Sequence, residues 1–278
     1  MADPGGGASR FSICGTCAVE YADPLPAVCP ICRDERQWVP ATGQRWTTLE
    51  DLQREGQKLT WSEGEPSRFV LSCDPGVGIG QRTQVIATEQ GTLLWDPVGY
   101  IDDAAVKWIR GLGPVLGIAS SHPHMFGVQV EWAHALDAPI FVNEADAQWL
   151  GRHDALIRFW SGEERLGPIS LHQIGGHFAG SAVAVWPAGA EGRGTLLCGD
   201  TVFPNPDGWS VGFLRSYPNK IPLSAAVVQR VADDLGRLRF DAVIGNFDNR
   251  IGSDGAESIR RSAERHIAWV RGDYDDLT

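Results

Sequence analysis

The sequence has no run of about eighteen consecutive apolar residues, the least a helix needs to cross a bilayer, so no segment is expected to span a membrane. It also lacks a basic surplus: 24 Lys and Arg stand against 35 Asp and Glu, a formal charge of -11. No Lys/Arg cluster forms a local basic stripe, and so acidic a surface repels a phosphate backbone, which removes nucleic acid from the expected partners. The first ten residues, Met1 to Arg10, are glycine-rich and polar and carry no apolar stretch of the kind that directs export. Cytoplasmic residence is the expectation, with a small molecule as partner; composition fixes no oligomeric state. With 43% hydrophobic and 21% charged residues in 278, disordered and collagen-like classes are excluded too. That length suits about two domains of ~150 residues, or one α/β domain of roughly 200 to 250 with a small appendage.

Of the six cysteines, four fall in two C-x-x-C pairs, Cys14 with Cys17 and Cys29 with Cys32, separated by eleven residues. A tight turn presents two thiolates, and two facing turns close a tetrahedral four-sulfur site for zinc or iron. Unligated thiols or two disulfides fit this paired spacing less well. The segment resembles the short rubredoxin-like module of rubrerythrins, or a zinc ribbon, and Phe11, Tyr21 and Trp38 around it suit either. Zinc would make it structural and iron an electron carrier. Residues 1–40 are assigned to this module, with 1–10 as a loose tail and the remainder ordered by its metal. Residues 41–67 form a connector with scattered apolar anchors, Trp46, Leu49, Leu52, Leu59 and Trp61.

From residue 68 to 278, short β-branched runs alternate with amphipathic windows, the pattern of an α/β layered domain. Strands are expected at 68–73, 84–88, 92–96, 115–120, 139–142, 169–174, 182–186, 195–198 and 242–245. Helices are expected at 103–111, 128–136, 144–152, 224–238 and 256–271, with Ser224 as an N-cap. The glycine-rich stretch Asp74 to Gly80 precedes a strand rather than a helix, so it reads as a turn and not as a phosphate loop.

Three short motifs follow expected strands. Ser121-His122-Pro123-His124 puts two imidazoles two residues apart, on one side of an extended turn. Gly175-Gly176-His177 and Cys198-Gly199-Asp200 add a third imidazole and a carboxylate. Each lies at a strand exit, so the four can form one site.

With Leu94-Trp95-Asp96, these motifs stand in the order found in metallo-β-lactamase-fold proteins, which residues from about Arg68 to Tyr274 resemble. The resemblance implies an αββα sandwich in which His122, His124 and His177 hold a metal and Asp200 is a ligand. It also shows departures. The family's H-x-H-x-D-H is completed here by Phe126 and Gly127, and Asn246 stands at the late histidine, leaving a second metal only Asp200. The implied site is mononuclear: zinc on three imidazoles, with Asp200 as fourth ligand or catalytic base, hydrolysing an ester, thioester or lactone. Two alternatives stand beside it. One takes His122, His177 and Asp200 as an iron oxidoreductase site of persulfide-dioxygenase type; the other takes the cluster as a metal-binding protein without catalysis, or as hydrogen-bonded core histidines.

His134, His153, His172 and His266 lack partner spacing and read as structural, as do Cys73 and Cys198. Asp96 is expected to orient a ligand rather than bind metal. Phe126 should make one flank of the site apolar. The loop from Phe203 to Pro222, carrying Trp209, Phe213, Arg215, Tyr217 and Lys220, is a candidate pocket wall.

Overall fold

The architecture comes from a computed structural model in which residues 11–278 are described; the tail expected at 1–10 lies outside them. Two sheets face one another. The first has seven strands in the spatial order Ile157–Trp160, Ile140–Asn143, Val115–Ala119, Gly91–Trp95, Thr83–Thr88, Arg68–Asp74, Lys58–Glu65. The second has six, in the order Glu163–Leu166, Ile169–Gln173, Ala182–Trp186, Thr195–Leu197, Ala242–Ile244, Arg250–Ile251.

Side-chain alternation sorts the core into three layers. Leu93 and Trp95 point between the sheets and meet Leu171, Ala184 and Trp186. Leu94, one position out of phase, turns to the outer face and packs with Ile109 of helix Asp103–Gly111 and Trp132 of helix Gln129–Leu136. On the far side, Val183, Val185 and Val243 pack against Val228 and Val231 of helix Ala225–Leu235 and Ile259 of helix Gly255–Arg271. This is the expected αββα sandwich. Helix starts follow their capping residues: Asp102 accepts from the Ala105 amide at 2.8 Å, and Ser224 accepts from Val227. Among the described residues no helix is long and apolar enough to cross a membrane.

The structure departs from the sequence expectation in several places. Instead of an α-helix at 144–152 there is a 3-10 helix, Glu144–Trp149. The Asn143 side chain caps the Ala145 amide at 3.1 Å, and the buried Asp146 carboxylate is held by the Gly180 amide at 2.9 Å, which ties the turn to another loop. Residues 41–67, read from the sequence as a connector, take up regular structure. Trp46–Thr47 joins Phe11–Cys14 and Glu20–Ala22 in a three-stranded sheet around the cysteines, Thr48 caps helix Leu49–Glu55, and Lys58–Glu65 is the edge strand of the first sheet. The cysteine segment therefore does not rely on metal alone. Ile13, Val19 and Ile31 are buried in one continuous cluster with Val98, Phe126 and Val128.

Candidate metal centre

The site is built from strand exits at one end of the sandwich. Asp96 follows strand Gly91–Trp95 with φ at 59°, and its Oδ1 accepts the Ser121 amide at 2.6 Å. Asp96 is fully buried, which pushes its carboxyl up to about 7, and it stands outside the donor cluster, fixing the backbone one residue before His122. Ser121 Oγ lies 2.9 Å from His122 Nδ1. In place of the anticipated extended turn, Pro123–Met125 forms a 3-10 turn, which sets the His122 and His124 rings 5.1 Å apart.

His177 arrives on a loop whose Gly175 and Gly176 have φ of 74° and 95°, a region open to glycine at little cost. Its Nδ1 lies 3.2 Å from the Leu214 carbonyl oxygen. A carbonyl only accepts, so Nδ1 carries the proton and Nε2 presents a lone pair. Asp200 follows Gly199, where φ is 51° and a Cβ would run into the Ser121 side chain. The two loops can approach because that residue is glycine.

His122, His124, His177 and Asp200 are all buried, and one donor atom from each lies within 4.8 Å of the others. Asp200 Oδ2 is 3.6 Å from His122 Nε2 and 3.9 Å from His177 Nε2. The three Nε2 atoms and Asp200 Oδ1 have no hydrogen-bond partner. A buried polar atom left unpaired costs about 1 to 3 kcal/mol, so four converging on one point are poorly explained as core histidines. They fit a divalent ion. Burial lowers His122 and His124 well below the ordinary imidazole value and His177 to about 4, so all three rings are neutral at neutral pH, as binding a cation requires.

The positions that would serve a second ion are used for packing. Phe126 lies in the core beside the cysteine segment, and the Gly127 carbonyl accepts the Glu20 amide at 3.1 Å. Gly127 has φ of 54°, and a Cβ there would run into the Pro97 carbonyl. Asn246 is buried, its backbone carbonyl accepting from Arg82.

The four cysteines also meet. Cys14 and Cys32 Sγ are 3.4 Å apart, Cys17 and Cys29 Sγ 3.7 Å, and the Tyr21 hydroxyl is 3.3 Å from Cys29 Sγ. All are buried and unbridged, and their four sulfurs converge as a tetrahedral thiolate site requires.

The two clusters are joined through Arg36. Its Nε and Nη2 donate to the Asp34 carboxylate at 2.6 and 2.8 Å, its Nη1 donates to the His177 carbonyl at 3.0 Å, and its guanidinium lies 3.6 Å from the centre of the Phe178 ring. The Phe178 ring is 5.7, 5.0 and 5.0 Å from those of His122, His124 and His177. Nearby, the Glu35 carbonyl accepts from Ser216 Oγ at 2.8 Å and from Asn219 Nδ2 at 2.7 Å. The cysteine segment thus clamps the loop that carries His177.

A pocket of about 280 Å3 opens over His124 and Asp200, walled by Gln37, Trp38, Ile79, Phe203, Tyr217 and Phe247. Of the expected wall, Phe203 and Tyr217 take part. Phe213 is instead core, Trp209 is exposed near Arg265, and Arg215 pairs with Glu35 at 2.6 Å. Arg36, Trp38 and Phe247 carried no sequence signal of a role here, since their placement depends on contacts across the chain. His134 bonds Asp154, His172 bonds Ser170 and His266 bonds the Leu223 carbonyl, so these rings have partners elsewhere.

No sequence-family profile matches the chain. The uncharacterized protein YmaE of Bacillus subtilis (strain 168) is 40% identical over 263 residues, spanning 92% of this chain and 96% of that protein. Solved structures with the same fold include the DIM-1 metallo-β-lactamase, with a TM-score of 0.55 and 18% identity over 75% of this chain and 97% of that one. FIM-1 from Pseudomonas aeruginosa, in a mono-zinc form, aligns with a TM-score of 0.54 and 14% identity over 74% of this chain and 95% of that one.

Proposed function

Because the chain belongs to the family of Bacillus subtilis YmaE and is built on the metallo-β-lactamase fold, we propose that it is a metal-dependent hydrolase with a single zinc on His122, His124, His177 and Asp200. The supporting observation is the convergence of four buried, partnerless donors. The mono-zinc form of FIM-1 is a precedent on this fold for one ion. When bound, zinc would supply Lewis acidity, polarising a carbonyl and bringing the pKa of a coordinated water toward ~7.

The chain's own part is orientation and proton handling. The Leu214 carbonyl fixes the His177 tautomer, and Asp96 with Ser121 fixes the turn that presents His122. Asp200 stands where the donor set meets the pocket, and the carboxylate oxygen not given to the ion would take the proton of an attacking water. The Tyr217 hydroxyl cannot serve, because it donates to the Asp200 carbonyl at 3.2 Å. The substrate is a small ester, thioester or lactone, and the four-cysteine site is structural, of the rubredoxin-like or zinc-ribbon kind and filled by zinc. Unbridged thiols suit the reducing cytoplasm, where we place the protein.

Elemental analysis of the wild type, Cys14→Ser and His122→Ala tests this reading. Two zinc equivalents, one lost in each variant, with ester hydrolysis lost in His122→Ala, are expected. Iron at the histidine site with oxygen uptake would replace it with the oxidoreductase reading, and undiminished metal in His122→Ala would end both.

A further inference from the structure

The pocket over His124 and Asp200 has largely apolar walls, because most of the polar side chains on them other than the donor set are already engaged. The Arg36 guanidinium is held by Asp34, the His177 carbonyl and the Phe178 ring. Gln37 Nε2 donates to the Trp38 carbonyl at 3.1 Å, and the Tyr217 hydroxyl is bound to the Asp200 carbonyl. What remains is hydrocarbon and aromatic surface from Trp38, Ile79, Phe203 and Phe247. Trp38 is 59% exposed, an indole left largely in water at the pocket's edge. A carboxylate or phosphate set among these side chains would lose its hydration and meet no unpaired cationic side chain, whereas an alkyl or aryl group gains by leaving water.

The groove on the other side of His177 does not supply the missing cation. Its Arg36, Arg215 and Arg230 are paired with Asp34, Glu35 and Asp234.

Resting on the hydrolase reading, we propose that the part of the substrate beyond the reacting carbonyl is neutral and apolar, a short alkyl or aryl group, and that Trp38, supplied by the cysteine segment, is the residue that selects it. At about 280 Å3 the pocket lies at the small end of the ~300 to 1,000 Å3 typical of small-molecule sites, which limits the group to a short chain or a single ring. For a phenyl ester, the water oxygen forms the new bond to the acyl carbon, the ester carbon–oxygen bond breaks, and phenol leaves with the proton.

Binding and turnover are measured separately on the zinc-loaded full chain. Calorimetry compares butyranilide, a neutral amide, with succinanilic acid, which has a carboxylate in place of the terminal methyl. The amide is expected to bind at least about tenfold more tightly. Trp38→Ala should weaken the amide about fivefold, while Trp38→Phe keeps most of the affinity. Equal or tighter binding of the carboxylate, no binding of the amide, or unchanged affinity in Trp38→Ala overturns the proposal. Hydrolysis of phenyl butyrate and monophenyl succinate is then followed by phenol release. Selective amide binding with no cleavage of any ester, thioester or lactone would sustain the pocket's selectivity and refute the hydrolase reading. Cleavage of both esters at equal kcat/KM with no effect of Trp38→Ala would refute the pocket inference alone.

Discussion

Replacing Arg36 with alanine should loosen metal at the histidine site although Arg36 touches none of the four donors. The side chain is 8% exposed and makes two kinds of contact with the His177 loop. Its bond to the His177 carbonyl, from a charged donor, is worth about 1.5 to 3 kcal/mol. Its stacking on Phe178, which touches all three imidazoles, adds about 1 to 2 kcal/mol. Only part of that energy positions His177; outer partners of metal ligands commonly govern 10- to 100-fold in affinity, about 1.4 to 2.8 kcal/mol. The assay is zinc competition with a chromophoric chelator, with occupancy of the four-cysteine site followed in the same titration and urea unfolding run in parallel. Arg36→Ala should lower histidine-site affinity 10- to 100-fold, and Arg36→Lys should fall between, keeping the charge but not the planar fork. If affinity stays within about twofold while the urea midpoint falls, Arg36 is only a fold clamp and the reasoning is wrong.

Restoring the fold's second-metal residues with Phe126→Asp and Gly127→His should add no metal. The aspartate would be buried in the core and the histidine forced into φ of 54° against Pro97, so a loss of several kcal/mol in urea unfolding is expected. A stable double variant binding an extra zinc would contradict this. Cys32→Ser should release the cysteine-site metal and weaken zinc at the histidine site, because helix Pro30–Arg33 leads into the Arg36 clamp; unchanged histidine-site affinity would count against that link. Glu20 is buried against Arg152 at 2.8 Å, and burial pushes its pKa up to about 7 from 4.5. The folded state therefore binds more protons than the unfolded between these values, and this group's contribution is full below pH about 4.5 and lost as pH rises through about 7, by roughly 1 to 3 kcal/mol. Glu20→Gln should flatten that part of the urea stability profile between pH 5 and 7.5; an identical slope in both proteins would refute the assignment.

The sandwich was legible wherever a strand buries both faces. Leu93, Leu94 and Trp95, or Ala182 to Trp186, form continuous apolar runs because sheet and helices cover them from both sides. Lys58–Glu65 was not legible, since an edge strand with most side chains in water has no pattern to show. The helix expected at 144–152 failed for a related reason: Asp146 answers to Gly180, 34 residues away. The donor set could be read because H-x-H, G-H and G-D are local, and glycines at 176 and 199 mark where loops crowd together. Arg36 and Trp38 could not, since Arg36 meets His177 across 141 positions. Phe126 and Gly127 were visible as missing ligands, but the reason for a glycine at 127, a Cβ that would run into the Pro97 carbonyl, required the folded chain.

That clamp has a consequence for how the chain is made. The cysteine segment emerges from the ribosome before anything it packs on: Glu20 must wait 110 residues for the Val130 amide and 132 for Arg152, and Arg36 must wait 141 for His177. At several residues per second, the nascent segment spends many seconds with its apolar side chains uncovered. An ion seized early by the four thiols would hold it in shape over that interval, so a metal bound there would act as a first folding nucleus for the chain.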